Sequence, residues 1–163
     1  MKSLADVLET ARTFLAAAQE RVHHDIAPIL ASKVRDRLAR VTGGRYDEAS
    51  VDPETLNVQV RDAEGRWRNA ELLSHGTAEQ VYLLLRVAMA EILTEDGVNC
   101  PLLFDDSTVQ SDPQRTWAIL DVLHEVSGEH QVIVFSQEDD VIEWAQDHLG
   151  TRDQLLFLDV EPL

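Results

Sequence analysis

Two short apolar runs, Leu102-Leu103-Phe104 and Val132-Ile133-Val134-Phe135, constrain this chain more than anything else in it. Each is too short for a helix and lacks polar alternation, the pattern of a strand covered on both faces. Helix-length stretches alternate with them. Residues 77–93 place Val81, Leu84, Leu85, Ala88 and Ile92 on one face; residues 113–126 begin with a proline, and residues 139–149 follow the second run. Residues 155–160 read as a last strand. This alternation predicts an α/β fold with a mainly parallel sheet flanked by helices.

The first forty residues have a different period. Leu4, Val7, Leu8, Ala11, Phe14 and Leu15 fall at steps of three and four, and Val22, Ile26, Leu30, Val34, Leu38 and Val41 continue the pattern. Pro28 marks a break or the first turn of a second helix. Two readings fit: an amphipathic helix pair packed on a core, or the end of a coiled coil. Helix should stop at Thr42-Gly43-Gly44. The chain therefore divides into a helical stem, residues 1–41, and a lobe, residues 42–163. In the lobe, residues 46–51, 56–61 and 65–70 alternate like short strands, with Asp52-Pro53 and Asp62-Ala63-Glu64-Gly65 as turns, which predicts a small antiparallel meander.

Composition narrows the function. Thirty acidic residues against fourteen basic ones give a formal charge of −16, a surface that repels phosphate backbones at long range. The segment alone is expected to be a poor nonspecific nucleic-acid binder. The single cysteine, Cys100, excludes an internal disulfide. No apolar run approaches the ~20 residues of a membrane span. The N-terminus lacks the apolar stretch of an export signal, so a cytoplasmic location is expected. His23-His24 read as a solvated helix face, and Trp67, Trp117 and Trp144 as packing anchors.

The chemistry sits at three places. Leu102 to Asp106 reads as a buried strand ending in two carboxylates, at the sheet edge where open α/β folds bind ligands. Asp105 is placed to hold Mg²⁺, a hard cation that takes oxygen ligands, and Asp106 to orient or deprotonate a water. The plainer reading is an acidic turn capping the next helix. Leu73 to Gln80, LSHGTAEQ, opens the long helix. Free N–H groups and partial positive charge at such a start favour phosphate; Ser74 adds a hydroxyl, and Gly76 allows close approach. The plainer reading is a capping box in which Ser74 or Thr77 caps and Glu79 or Gln80 back-caps. Gln137, just past the second apolar run, offers an amide that can bond a phosphate but carries no charge. A polar loop residue is the plain alternative.

In order and spacing these motifs resemble the C-terminal lobe of SMC-like ABC-type ATPase heads of the YhaN/RecN type, over roughly residues 30–160. DDSTVQSD resembles the end of Walker B followed by a D-loop, whose aspartate, here Asp112, lies seven residues after Asp105. Ser74, His75, Gly76 and Thr77 match the signature motif, and Gln137 takes the place of a switch histidine. Asp106 stands where a glutamate is usual, Ser107 for a frequent proline, Ser111 for a leucine and His75 for a glycine. No GxxxxGK[ST] phosphate loop occurs in the chain; in the family it belongs to an N-terminal lobe beyond a coiled coil.

The resemblance implies a P-loop NTPase-like C-terminal half that, alone, is inactive. With a Walker A lobe of the same or a sister chain, and a second head, it would hold ATP and Mg²⁺ in a composite site. Asp105 would serve the metal, Asp106 the water, Ser74 and Gly76 the γ-phosphate across the dimer, and Asp112 the head–head contact. DNA would concern only the full-length parent, in DNA repair or chromosome maintenance. Two rivals remain open: a non-catalytic, nucleotide-dependent dimerisation module, and a stand-alone Mg²⁺-dependent phosphohydrolase.

Overall fold

The computed structural model describes residues 4–21, 25–52, 55, 57–95 and 100–158. Helices α1 (Leu4–Arg21) and α2 (Ala27–Val41) occupy the first forty residues, with Pro28 in the first turn of α2. His23-His24 lie outside the described residues. The two helices meet different surroundings. On α2, Ala27, Leu30, Val34, Leu38 and Val41 are at most 2% exposed and pack on the lobe. On α1, Leu4, Val7, Leu8, Phe14 and Leu15 all face outward, between 52% and 76% exposed. A stripe of the same spacing is therefore core in one helix and uncovered in the other.

Helix α2 ends in a Schellman turn: the Gly44 N–H donates to the Ala39 carbonyl (2.7 Å) and the Gly43 N–H to that of Arg40 (3.4 Å). Both glycines have positive φ, +62° and +75°, where a side chain would be strained. The chain then enters three antiparallel strands, β1 (Tyr46–Val51), β2 (Val58–Asp62) and β3 (Trp67–Asn69). Asp62 closes the β2–β3 turn. Its carboxylate accepts the Arg66 N–H (3.0 Å) and the guanidinium of Arg68 (2.9 Å); these bonds hold its pKa down to about 2.

A short 3₁₀ turn, Ala70–Leu72, leads to the long helix α3 (His75–Glu95). Then follow β4 (Leu102–Asp105), α4 (Pro113–Val126), β5 (Val132–Phe135) and α5 (Asp139–His148). Strands β4 and β5 are parallel, with Leu102 opposite Val132 and Asp105 opposite Phe135. The main core joins α2, β1, β2, α3, β4 and α4; a smaller one, Leu120, Trp144 and Ala145, joins α4 to α5. Arg37 of α2 makes a two-pronged ion pair with Glu91 of α3 (2.6 and 3.1 Å), and Lys33 adds a third contact at 3.5 Å. Burial alone would raise the Glu91 pKa, but the Arg37 bonds outweigh it and the group lies below the ordinary range.

Three expectations need correction. Among the described residues the strands are not mainly parallel: the antiparallel sheet has three and the parallel one two. Residues 155–158 are not a strand, and Leu156, Phe157 and Leu158 are 67% to 75% exposed. A strand exists only through a ladder, and β5 finds its partner in β4 alone among the described residues. Residues 159 and 160 lie outside them. Trp67 is no core anchor: it is 47% exposed and lies under the guanidinium of Arg61, 6.0 Å from its centroid. Trp144, by contrast, is buried.

Candidate functional site

Parallel pairing delivers the ends of β4 and β5 to one edge. Asp105 pairs with Phe135, and the Asp106 N–H donates to the Phe135 carbonyl at 3.0 Å, extending the ladder by one residue. Asp106 then turns sharply, with φ +48°, alone among described non-glycine residues in having positive φ. Aspartate tolerates this region better than most residues because its short side chain is compatible with it. The carboxylates of Asp105 and Asp106 are exposed and make no hydrogen bond or ion pair among the described residues. Their oxygens are uncommitted. Two carboxylates do not make a protein cage, but Mg²⁺ is commonly held by one or two together with waters and substrate phosphates, so the donor set suits that ion. Gln137, also exposed, lies two residues beyond Phe135 on the same edge.

Glu138 joins the two loops at this edge. It accepts a hydrogen bond from the buried Thr108 hydroxyl in the turn after β4, and its own N–H donates to Ser136 Oγ at 3.1 Å. The turn closes through the Ser111 N–H and the Thr108 carbonyl at 2.7 Å. Asp112 then caps α4, accepting the Arg115 N–H at 3.1 Å, with the guanidinium of Arg115 at 3.2 Å.

The start of α3 packs on this same turn. A Cβ at Gly76 would stand 2.4 Å from the carbonyl oxygen of Gln110. One helical turn later Gln80, 2% exposed, donates to Ser111 Oγ at 3.0 Å. The capping-box expectation is not met. Ser74 Oγ bonds the Thr77 hydroxyl (2.8 Å), not a backbone N–H, and Glu79 pairs with the exposed His75 at 3.2 Å. Among the described residues, the first-turn N–H groups of α3 therefore have no side-chain cap. Thr77 is buried and binds Arg45, whose Nη2 donates to its hydroxyl at 3.0 Å and whose Nε donates to the Thr42 carbonyl at 3.3 Å. Both partners are neutral. In a chain of charge −16, this arginine sits beside the helix start without a carboxylate among the described residues.

The structure thus joins LSHGTAEQ to the turn 106–111, and that turn to the loop holding Gln137. It does not bring His75 inward. Sequence reading missed Arg45 and Glu138 as participants, and offered Gln80 as a back-cap rather than as a link to Ser111. Arg45 directly follows the two glycines that end α2, and Glu138 directly follows Gln137; no spacing rule links either to its partner.

No protein-family model matches the chain. It is 34% identical over 98 residues to the uncharacterized protein YhaN of Bacillus subtilis, covering 59% of this chain and 10% of YhaN. It is 35% identical over 101 residues to the uncharacterized protein Rv1278 of Mycobacterium tuberculosis, covering 61% and 11%. The chain thus spans about a tenth of the length of these relatives. Among solved structures, it superimposes on one described for ATP-driven dimerization and DNA-stimulated activation of SMC ATPases, with TM-score 0.60, 20% identity and 74% of each chain covered. An Smc head bound to the C-winged helix domain of ScpA gives 0.59 at 20% identity, over 72% of this chain and 37% of that one. The SMC head domain from Thermotoga maritima gives 0.53 at 21% identity, over 78% and 44%.

Proposed function

We propose that this chain, which has the fold of SMC head domains and resembles YhaN in sequence, is the signature and Walker B half of an ATP-hydrolysing head. The observation that carries this reading is the packing of the α3 start on the turn between Asp106 and Asp112, through Gly76 against Gln110. A start of α3 without a side-chain cap, a hydroxyl at Ser74 and a cation at Arg45 held by neutral oxygens suit a terminal phosphate arriving from outside the chain. The uncommitted carboxylates of Asp105 and Asp106 suit Mg²⁺ and the attacking water. When bound, Mg²⁺ would neutralise phosphate charge and bridge the nucleotide to the protein. Asp105 would hold it; Asp106 would orient the water, Gln137 would bond the phosphate, and Asp112 would meet the opposing head.

The other half is a Walker A lobe of the same or a sister chain. The two-stranded parallel sheet supports this, since Leu103 and Phe135 on it are 61% and 45% exposed. The uncovered stripe of α1 suits an antiparallel coiled-coil partner. The working unit is a dimer of heads in the cytoplasm, and a parent acting on DNA would bind it through other parts. No described helix is long and apolar enough to cross a membrane. A second reading, dimerisation without turnover, is favoured by Gln137, whose amide cannot carry a proton in the place of a switch histidine.

The test supplies a Walker A lobe in trans. Alone, the chain should bind Mg-ATP weakly or not at all in calorimetry. Together, the lobes should dimerise and hydrolyse ATP, and Ser74→Arg should block both while ATP binding to the Walker A side persists. If Ser74→Arg changes neither, the α3 start is only a helix terminus.

A further inference from the structure

Gln80 is buried in an arrangement that stability alone does not account for. The residue is 2% exposed, and Ser111 satisfies one end of its carboxamide at 3.0 Å. The other end, Oε1, is buried without a partner. Turning the amide over does not help: the serine would then donate to the oxygen and the NH₂ group would be stranded. A leucine of similar volume would carry no such penalty. The bond reaches from the second turn of α3 to the residue just before Asp112. Gly76, four residues earlier on the same face, meets the neighbouring Gln110. These two contacts pin residues 110 and 111 to the helix that begins beside Ser74.

We propose that Gln80 is a positioning residue that couples phosphate engagement at the start of α3 to the turn carrying Asp106 and Asp112. It touches neither nucleotide nor metal. It acts by making the α3 start and the turn move as one body, so that head engagement sets the carboxylates. This rests on the reading of the α3 start as the signature motif.

The experiment compares Gln80→Leu, Ser111→Ala and the double variant, with the Walker A lobe supplied. Gln80→Leu should keep the melting temperature and nucleotide-dependent dimerisation of the parent, while kcat falls tenfold or more and KM for ATP stays within twofold. Ser111→Ala should lose a similar factor, and the double variant no more than either alone, since both remove one link. A Gln80→Leu dimer turning over at the parental rate, or losses that multiply in the double variant, would overturn the proposal.

Ser74→Arg runs alongside. If it leaves dimerisation intact, the signature reading itself has failed, and the coupling proposed from it falls too. Amide exchange in the 163-residue chain then reports on the link alone. Gln80→Leu should speed exchange of the Ser111 N–H, bonded to Thr108 at 2.7 Å, at least tenfold, with the middle of α3 unaffected. Unchanged exchange would remove the physical basis of the coupling.

Discussion

Gly76 and Gln110 touch through their backbones: a methyl group on Gly76 would stand 2.4 Å from the carbonyl oxygen of Gln110. No rotamer relieves a clash with backbone, so α3 or the turn would have to move. Gly76→Ala should cost roughly 1–3 kcal/mol, the usual range for overpacking a tight contact, and lower the melting temperature by several degrees. Differential scanning calorimetry checks this. An unchanged transition would mean that the α3 start and the turn are not packed together in solution.

Arg45 should behave differently, because it is exposed and bonded to neutral oxygens. Arg45→Ala should leave stability within about 0.5 kcal/mol, as most surface changes do. With the Walker A lobe present, it should weaken nucleotide-dependent dimerisation about tenfold or more, since a hydrogen bond to a charged group contributes roughly 1.5–3 kcal/mol. Arg45→Lys should restore only part of this, because the two-point hold on Thr77 and Thr42 needs the guanidinium fork. Sedimentation with and without nucleotide measures it. Dimerisation that is insensitive to Arg45→Ala would remove Arg45 from the site.

Much of the fold is legible before any coordinates. The glycine pair ends α2 because its positive φ values close a Schellman turn, and Pro113 marks the first turn of α4. The strand end expected at Asp105 and Asp106 is where β4 stops, whereas the capping of α4 by Asp112 emerges only from the structure. What could not be read is which stripe is covered. Leu8 and Leu38 have the same periodic surroundings in sequence, yet one is 61% exposed and the other fully buried. Spacing fixes a helix face; only the arrival of other elements decides its neighbour. The run from Leu155 failed for the same reason, since apolar residues become a strand only by pairing with another, and residues 155–158 pair with none. Gln80 was legible as polar and near a helix start, but its partner Ser111 is 31 residues away, beyond any local rule.

Asp62 and Glu91 both contribute stability that is lost in acid. Both have pKa values below the ordinary range, Asp62 falling from 3.8 to about 2. A group depressed in the folded state contributes stability above its unfolded pKa and loses it as pH falls through the folded value. The Asp62 contribution should therefore be complete above about pH 4 and fade as the pH falls toward 2. Carboxyl titration by NMR should give Asp62 a midpoint near 2. A midpoint near the ordinary value would show that the Arg66 and Arg68 bonds do not persist in solution.

The two halves of the N-terminal region should respond oppositely to truncation. A chain beginning at Ile26 lacks helix α1, whose apolar stripe is exposed, so it should fold with a melting temperature close to that of the parent. It should also sediment as a monomer, whereas the full chain should self-associate through the stripe. A chain beginning at Arg40 loses Leu30, Val34 and Leu38, each at most 2% exposed. Burial of each stabilises by roughly 1.5–3 kcal/mol, together a large part of the roughly 5–15 kcal/mol that holds a domain. That chain should not fold. Circular dichroism and sedimentation decide both cases. A folded chain from Arg40 would show that α2 is dispensable to the core.

Asp106 offers the sharpest separation of chemistry from fold. Its φ of +48° makes alanine a poor probe, because a Cβ without a local hydrogen-bonding group is disfavoured there and would mix strain with lost charge. Asparagine tolerates the same backbone region and keeps the size of the side chain. Asp106→Asn should therefore preserve the Asp106 N–H bond to Phe135, the pairing of β4 with β5 and the melting temperature. Stability should even rise slightly, since Asp105 and Asp106 are adjacent carboxylates without a counter-charge among the described residues. In the assembled heads, ATP binding and dimerisation should survive while hydrolysis slows by about 10²- to 10⁴-fold, the usual contribution of a group that takes or orients a water proton. Asp105→Asn should instead weaken the Mg²⁺ dependence. Gln137→His, in the Asp106 parent, should raise the rate if a protonatable group at that edge is what limits turnover. An Asp106→Asn assembly that hydrolyses at the parental rate would assign the water to another group and leave Asp106 as a turn residue.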